Sequence, residues 1–374
     1  MKKRLTYTLQ KSDGNARRAT LELASGTVQL PTFMPVGTQG NVKTLTPNEI
    51  ESTGAEIVLG NTYHLMLRPG AERVARFGGL ARFSKWPKCT LTDSGGFQAF
   101  SLSSLTKRTE EGFSFRSHID GSKYFLSPEE AVRIQGLIGA DIQMQLDDCP
   151  PGDSERKRVE EAVQRTTRWA KRAVASPRAD HQCLFGIVQG SGFVDLRRAH
   201  ADELGAIEGL DGLALGGFSV GEPIPVMYET LAQVAPHVDP RRPRYLMGVG
   251  TPQDLLEGIE HGIDMFDCVL PTRNARNGQA LTRFGKVVIK QARYQDDEKP
   301  IDPDCSCLAC KEGFSRAYLR HLYLVGEILP LRLFSIHNLH FYGELMQGAR
   351  SAIERGEYLK YKADCLERMT RGDA

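Results

Sequence analysis

Three aspartates stand where short apolar runs of the sequence end, and this placement could support chemistry. Asp93 closes the run CTLTD, Asp147 closes IQMQLD, and Asp267 closes DMFD. A carboxylate at the carboxyl end of a buried strand points into the mouth of an α/β fold, where ligands bind. A single aspartate there could instead cap the next helix. Three of them, followed by a cysteine cluster, favour an enzyme.

The segment TDSGGFQAFSL places Ser94, Gly95, Gly96 and Phe97 directly after Asp93. Paired glycines allow a ligand to come close to the main chain, and a phenylalanine ring can stack on a planar base. The alternative is an ordinary strand-to-helix turn with a core phenylalanine.

The segment MFDCVLPTRNARNGQA places Asp267 in an apolar stretch, which would perturb its ionisation. Arg273 and Arg276 follow, and this combination suits a substrate that carries phosphates near a reacting sugar carbon. A buried aspartate paired with an arginine is the alternative. The net charge of the chain is only +2, but from Arg273 to Arg293 it has six basic residues and no acidic one. A local cationic strip is therefore predicted.

Three of the eight cysteines form a C-x-C-x2-C cluster at Cys305, Cys307 and Cys310. Three thiolates can converge on one tetrahedral metal ion, and a site closed by a fourth protein ligand would be structural. Buried or redox-active cysteines are the alternative. His321, His337 and His340 are candidates for the fourth ligand, and spacing does not choose among them.

The composition is that of a soluble globular protein, with 374 residues, 40% hydrophobic and 25% charged. This length suits one large domain plus an appendage. No apolar run approaches the roughly 18 residues of a membrane helix, and the basic amino terminus lacks the apolar core of a secretory signal. The prediction is a cytoplasmic protein without membrane contact. Neither a P-loop nor a dinucleotide fingerprint is present.

Strand-like apolar runs alternate with helix-like segments, which indicates a parallel sheet covered on both faces. The runs begin at Gln29, Ala55, Cys89, Asp141, Cys183, Gly212, Arg244 and Met265. Eight repeats predict an α/β fold of the (β/α)8 TIM-barrel type. One intervening helix is expected to open at Ser127 with a capping box to Glu130, and another occupies residues 154–176.

Two further parts are expected around the barrel. The opening segment predicts a hairpin around residues 12–15 that plugs the barrel floor. The chain after residue 293 contains the cysteine cluster and two helix-like stretches. We therefore predict a catalytic barrel with its hairpin over residues 1–293 and a zinc-binding helical extension over residues 294–374.

The segments TDSGGFQAFSL, LDDC, GIVQG, GGFSVGE, LMGVG, FDCVLPTRNARNGQ and CSCLAC, in this order, resemble the bacterial tRNA-guanine transglycosylases, or queuine tRNA-ribosyltransferases. The resemblance covers nearly the whole chain. It implies a pentosyltransferase that exchanges guanine at anticodon position 34 for a 7-deazaguanine, the first step of queuosine insertion. The substrates implied are tRNAs with GUN anticodons, those for Asp, Asn, His and Tyr.

The resemblance also implies roles for individual residues. Asp267 would attack C1′ of the ribose and form a covalent ribosyl-enzyme, and Asp93 would deprotonate the incoming base. Residues implied to bind the base are Asp93, Ser94, Gly95, Gly96, Phe97, Asp147, Gln189, Gly216, Gly217 and Met247. Many bacterial relatives have Tyr where this chain has Phe97, so the ring remains without its hydroxyl.

Two further sets of residues, and the partners, follow from the same resemblance. Residues implied to contact RNA are Gly248, Val249, Gly250, Thr251, Pro252, Gln253, Asp254, Thr272, Arg273, Asn274, Ala275 and Arg276. Residues implied to hold one structural Zn²⁺ per chain are Cys305, Cys307, Cys310 and His337. The expected partners are the tRNA anticodon loop, a second copy of the chain in a homodimer, and the base. Cys149 and Val220 look bulky for queuine, which favours preQ1.

Two other functions fit parts of the sequence. A retaining glycosidase on a barrel would also use two carboxylates, one of them a nucleophile, but it needs neither the basic loop nor the cysteine cluster. A non-catalytic RNA-binding subunit would not need both Asp93 and Asp267.

Overall fold

The computed structural model describes residues 4–101 and 106–371. Its strands, numbered along the chain, are β1 (Thr6–Asp13), β2 (Ala16–Leu23), β3 (Gly26–Leu30), β4 (Thr32–Met34), β5 (Val36–Gly37), β6 (Ile57–Gly60), β7 (Cys89–Thr92), β8 (Lys107–Arg108), β9 (Phe113–Arg116), β10 (Lys123–Leu126), β11 (Ile142–Met144), β12 (Cys183–Val188), β13 (Gly212–Leu215), β14 (Arg244–Leu246), β15 (Met265–Asp267), β16 (Gln279–Thr282) and β17 (Gly285–Val288).

The helices are α1 (Pro47–Ser52), α2 (Thr62–Leu67), α3 (Ala71–Arg76), α4 (Leu80–Ser84), α5 (Gly96–Ser101), α6 (Pro128–Ile138), α7 (Arg156–Ala175), α8 (Val194–Gly205), α9 (Ile224–Val234), α10 (Pro252–Glu260), α11 (Leu270–Arg276), α12 (Leu308–Lys311), α13 (Arg316–Leu324), α14 (Leu329–Arg355) and α15 (Tyr358–Arg371). Short 3-10 turns cover Ala235–His237 and Ala292–Tyr294. Within the described ranges, no helix combines the length and the apolar character needed to cross a bilayer.

The central sheet is a closed parallel barrel, as the eight apolar runs predict. Its strand order is β4-β15-β14-β13-β12-β11-β7-β6-β5. β4 and β5 are two pieces of the first run, separated by Pro35, so the ring begins and ends on the same strand. Residues of β6, β7, β12 and β13 are buried throughout. Burial on both faces explains why these strands read as continuous apolar runs.

The amino-terminal hairpin is confirmed, but the structure adds a strand to it. β1 and β2 pair across a turn at Gly14, and β3 then pairs with β2. Leu21, Val28 and Leu30 join the apolar cluster inside the barrel. The Ser25 hydroxyl donates to Asp141, just before β11, at 2.6 Å. The small sheet therefore closes the amino-terminal end of the barrel and leaves the opposite end open.

The capping box at α6 forms only in part. Ser127 Oγ accepts from the Glu130 amide at 3.1 Å, as predicted. The Glu130 carboxylate binds Arg133 instead, with Arg133 Nε 2.7 Å from Oε2. An arginine one turn along the helix therefore competes with the backbone amide for the same carboxylate.

The carboxyl-terminal region packs against the barrel. α14 contacts α11, β16, β1, β2 and β4. The sequence predicted the helices that became α13 and α14 but not α15. The division into residues 1–293 and 294–374 stays a prediction, and its outermost residues, 1–3 and 372–374, lie outside the described part.

Candidate active site

The carboxyl ends of the barrel strands surround one cavity of about 530 Å³. This volume lies within the range of small-molecule sites. All three aspartates that end apolar runs, Asp93, Asp147 and Asp267, line it. The other residues proposed for base or RNA binding that line it are Ser94, Phe97, Gln189, Gly216, Gly217, Met247, Gly248 and Arg273.

Asp93 follows β7 and is held by the neighbouring β6–α2 connection. The Thr62 amide donates to Asp93 Oδ1 at 2.8 Å, and Asn61 Nδ2 donates to Oδ2. The pKa of Asp93 is raised to about 7 because burial and, to a lesser extent, the nearby charge of Asp267 outweigh the lowering effect of the Thr62 amide. Because this value lies near neutrality, Asp93 can both accept and return a proton.

Asp267 is the last residue of β15, and one of its oxygens is fixed. The Tyr245 hydroxyl donates to Asp267 Oδ1 at 2.6 Å, and the Gly248 amide donates to the same oxygen at 2.7 Å. Burial raises the pKa of Asp267, while these two donors oppose the shift. Oδ2 has no hydrogen-bond partner in the part of the chain that the structure describes, so its lone pairs are available. The alternative, a buried Asp267 paired with an arginine, is therefore not observed in that part of the chain.

Asp147 and Gln189 form a polar pair on the cavity wall. Gln189 Nε2 donates to Asp147 Oδ2 at 2.7 Å, and Ser94 Oγ lies 3.4 Å from Oδ1. The pKa of Asp147 is raised to about 6 because burial and the adjacent Asp148 charge outweigh the lowering effect of the Gln189 hydrogen bond. The buried side-chain oxygen of Gln189, Oε1, has no hydrogen-bond partner among the described residues. A ligand with an N–H group on its edge would satisfy it.

Asp148 anchors this wall to the surrounding helices. Its fully buried carboxylate accepts from Arg158 at 2.6 Å, from Arg165 at 2.5 Å, and from Arg108 near the start of the β8–β10 sheet. The Asp148 amide donates to Thr166 Oγ1 at 3.0 Å. Both ends of the residue next to Asp147 are therefore fixed.

Gly216 and Gly217 bring backbone to the cavity because side chains would not fit there. A Cβ at Gly216 would lie 2.9 Å from Gln189 Nε2, and one at Gly217 would lie 2.5 Å from Gln189 Oε1. Gly217 also has φ +64°. The buried Arg197 guanidinium donates to the Gly216 carbonyl at 2.9 Å and to the Gly217 carbonyl at 3.0 Å. The Gly216 amide donates to the Val188 carbonyl at 3.0 Å, so within the described part of the chain the Gly217 amide is the one of the two that can serve a ligand.

Phe97 is not a core residue, in contrast to the alternative considered for its segment. It lies in α5 with 48% of its surface exposed and lines the cavity. Met247 is half-buried and lines the same cavity. Gly95 and Gly96 do not line it. A Cβ at Gly95 would lie 3.1 Å from the Tyr63 amide nitrogen, so the absence of a side chain here lets the backbone pass close to that of Tyr63.

The two segments expected to contact RNA are only partly accessible. Arg273 is exposed at the cavity, and Gly248, Thr251 and Gln253 are exposed at the rim. Asp254 is buried, where it accepts from the Tyr228 hydroxyl at 2.6 Å and caps α10. The remaining buried members are Val249, Gly250, Thr272 and Ala275, and the half-buried ones are Pro252, Asn274 and Arg276.

A second cluster lies in the carboxyl-terminal region. The ligand atoms of Cys305, Cys307, Cys310 and His337 all lie within 4.8 Å of one another, and all four residues are buried. His337 Nδ1 is 3.5 Å from two of the sulfurs and 3.4 Å from that of Cys310. His337 Nε2 lies 2.9 Å from the Leu281 carbonyl, which fixes the proton on Nε2 and leaves Nδ1 free for a metal. Of the three histidine candidates, this one joins all three cysteines in a group that could hold a metal ion.

The comparison with known families agrees with this geometry. A family model described as queuine tRNA-ribosyltransferase matches residues 12–371. The chain belongs to this family. The expectation of an enzyme, a pentosyltransferase acting on tRNA, agrees with that membership.

Several curated members of the family are similar over nearly their whole length. The queuine tRNA-ribosyltransferase of Sorangium cellulosum is 64% identical over 93% of this chain and 88% of its own length. The proteins of the same name from Solidesulfovibrio magneticus and Neisseria gonorrhoeae are 55% and 52% identical. They cover 96% and 98% of this chain and 96% and 99% of their own lengths.

Sequence reasoning missed the residues that hold the site in place. Asn61, Thr62 and Tyr245 bind the two aspartates Asp93 and Asp267, and Arg197 fixes the glycine carbonyls. Asn61 and Tyr245 stand at or next to the ends of strands, where the same rule that selected the aspartates could have found them. Arg197 lies within a helix, so no position at the end of a strand-like run marked it.

Proposed function

We propose that this protein exchanges guanine at position 34 of GUN-anticodon tRNAs for a 7-deazaguanine by double displacement. The proposal depends on one observation: Asp93 and Asp267 line the same cavity and have different hydrogen-bond partners. Asp267 keeps one free oxygen, which suits a nucleophile. Asp93 has a pKa of about 7, which suits proton transfer.

In the first half-reaction, Asp267 Oδ2 attacks C1′ of the ribose, and the bond from C1′ to N9 of guanine breaks. The leaving base takes a proton from Asp93, and a ribosyl ester on Asp267 remains. In the second half-reaction, Asp93 removes the N9 proton of the incoming base, N9 attacks C1′, and the ester bond breaks. The two half-reactions mirror each other, so one carboxyl group whose pKa lies near neutrality can donate the proton in the first and accept it in the second.

The nucleotide must leave its stack to reach this cavity. Such extrusion costs roughly a few kcal/mol, and least where the base is already unpaired, as in an anticodon loop. The Asp147 carboxylate and the unsatisfied Gln189 carbonyl oxygen present acceptors to the amino and ring N–H edge of a purine. Phe97 and Met247 supply faces for the ring to stack on.

The incoming base is most consistent with preQ1. Cys149 and Val220 both line the cavity and reduce the room for the cyclopentenediol of queuine. We expect labelled guanine and preQ1 to enter unmodified tRNA, with queuine entering at least about tenfold more slowly, since misfit of a bulky group costs on the order of 1 to 3 kcal/mol. Measurement of the three incorporation rates tests this. Failure of all three bases would refute the proposed function, and equal rates would refute only the selectivity.

The same assay separates the rival functions. A retaining glycosidase would hydrolyse a free glycoside and leave tRNA unlabelled. A non-catalytic subunit would bind tRNA without exchange. The exposed Arg273 at the cavity and the match to the family favour exchange over both. A homodimer and a cytoplasmic location stay predictions from the sequence.

We further propose that the metal is one structural Zn²⁺ per chain, held by Cys305, Cys307, Cys310 and His337. Three sulfurs and one imidazole nitrogen are the donor set that zinc prefers, and four protein ligands leave no open position for catalysis. The ion would join the cysteine loop to α14.

Combined Cys305→Ser and Cys307→Ser substitution should reduce zinc from about one to near zero per chain, because two of four ligands are lost. Elemental analysis of purified protein measures this. Cys365→Ser is the matched control, since Cys365 is also buried but lies outside the cluster. Full zinc content in the double variant would disprove the site.

A further inference from the structure

We propose that a basic track, formed by Arg276, Lys290 and Arg320, binds backbone phosphates of the RNA outside the wobble nucleotide. The proposal rests on the proposed function, since it takes RNA as the substrate. Arg276 is already implied by the family resemblance. The proposal adds Arg320 on α13 and Lys290, two residues after β17, which neither line the active-site cavity nor follow from the resemblance.

The track begins at the cavity. Arg273 is exposed and lines the cavity, and Arg276 follows it by one helical turn on α11. Residues three apart share a helix face, so the two arginines point to the same side. α11 ends at Arg276 and is capped by Asn277, and the Ile289 amide donates to the Gly278 carbonyl at 2.9 Å. Lys290 therefore lies beside the carboxyl end of α11.

α13 adds a third cation from a distant part of the sequence. Arg320 Nε donates to the Gln291 carbonyl at 3.1 Å, one residue after Lys290. A Cβ at Gly278 would lie only 2.7 Å from the Tyr323 ring, so α13 packs directly against the end of α11. The guanidinium of Arg320 thus lies next to Lys290, although 30 residues separate them in the sequence.

These cations lack acidic partners among the described residues. Arg276 Nε donates only to the Thr272 carbonyl at 3.1 Å, and for Lys290 and Arg320 the described residues supply no carboxylate within 4.0 Å. By contrast, Arg283 binds Glu344 at 2.8 Å. Within the cationic strip of the sequence, Arg283 is therefore neutralised, and the other basic residues are left for a partner.

The nature of the partner follows from the position of the track. Unpaired cations on a surface attract anions, and a row that leads from a nucleotide-sized cavity matches the spaced phosphates of a nucleic acid strand. Each phosphate contact releases counterions, so the affinity should depend on salt. Phosphate contacts position the strand without reading its sequence.

The test compares a Lys290→Gln, Arg320→Gln double variant with wild type in binding unmodified tRNA at several salt concentrations. The slope of log affinity against log salt should fall in magnitude by about 1.4, at about 0.7 for each lost contact to a single strand. KM for tRNA should rise about tenfold, while kcat at saturating tRNA is retained. Lys286→Gln is the matched control, because Lys286 belongs to the same sequence strip but lies at the other end of β17.

The outcomes separate the two proposals. A double variant with the wild-type slope and KM, in an enzyme that exchanges bases normally, overturns the track alone. A wild-type protein that neither binds tRNA nor exchanges bases overturns the proposed function and the track with it. An equal slope change in Lys286→Gln would show diffuse attraction and also overturn the track. Equal melting temperatures and metal contents exclude misfolding as the cause.

Discussion

Asp267→Asn should abolish base exchange while tRNA binding stays close to wild type. The amide lacks the negative charge that makes Oδ2 a nucleophile, and loss of a nucleophile lowers turnover by at least about 10⁴-fold. The amide carbonyl can still accept from the Tyr245 hydroxyl and the Gly248 amide, so the side chain should keep its place. Incorporation of labelled guanine measures the exchange, and a denaturing gel detects the covalent tRNA adduct.

The control for this variant is Asp195→Asn, which makes the same chemical change at an exposed aspartate on α8. Asp195 binds Arg156 at the surface and does not line the cavity, so its substitution should leave exchange and adduct formation unchanged. A covalent adduct of normal yield on Asp267→Asn would contradict the assignment of the nucleophile. Loss of tRNA binding in that variant would show a binding role instead.

Asp93→Asn should lower the exchange rate by about 10²- to 10⁴-fold, the usual contribution of a positioned acid or base. An asparagine cannot take the N9 proton of the incoming base, so the ribosyl ester on Asp267 should persist. We expect the adduct to form slowly and then to accumulate, in contrast to Asp267→Asn. Quenched time courses of adduct and product in the two variants measure this difference.

The pH profile provides the check on Asp93. Burial raises its pKa to about 7, and a general base acts in its deprotonated form. The rate at which the ribosyl ester is converted to product should therefore fall as the pH drops through about 7, whereas adduct formation, in which Asp93 donates its proton, should fall as the pH rises through about 7. Both limbs should be missing in Asp93→Asn. Saturation with the base separates this effect from Asp147, whose pKa is raised to about 6 and which acts in base binding. An unchanged midpoint in Asp93→Asn would assign the proton transfer to another group.

The barrel could be predicted because its strands carry a local signal. Each parallel strand is buried on both faces, so a run such as that of β12 is apolar without interruption. The predicted positions of Asp93, Asp147 and Asp267 at one rim follow from this, since parallel strands end on the same side. By contrast, β3, β8–β10 and β16–β17 were not predicted. Their strands are short or partly exposed, and antiparallel pairing partners give them order that no single run reveals.

The amino-acid sequence by itself determined the alternating elements, the three carboxylates at strand ends and the cysteine spacing, since each depends on residues near one another in the chain. Only the tertiary structure decided that Tyr245 and Gly248 occupy one oxygen of Asp267 and which basic residues are neutralised. It also placed His337, which the spacing alone had not chosen, beside the three cysteines. These decisions join residues that are distant along the chain. Such contacts arise only when the barrel closes and α14 packs against it, because packing alone brings those side chains within bonding distance.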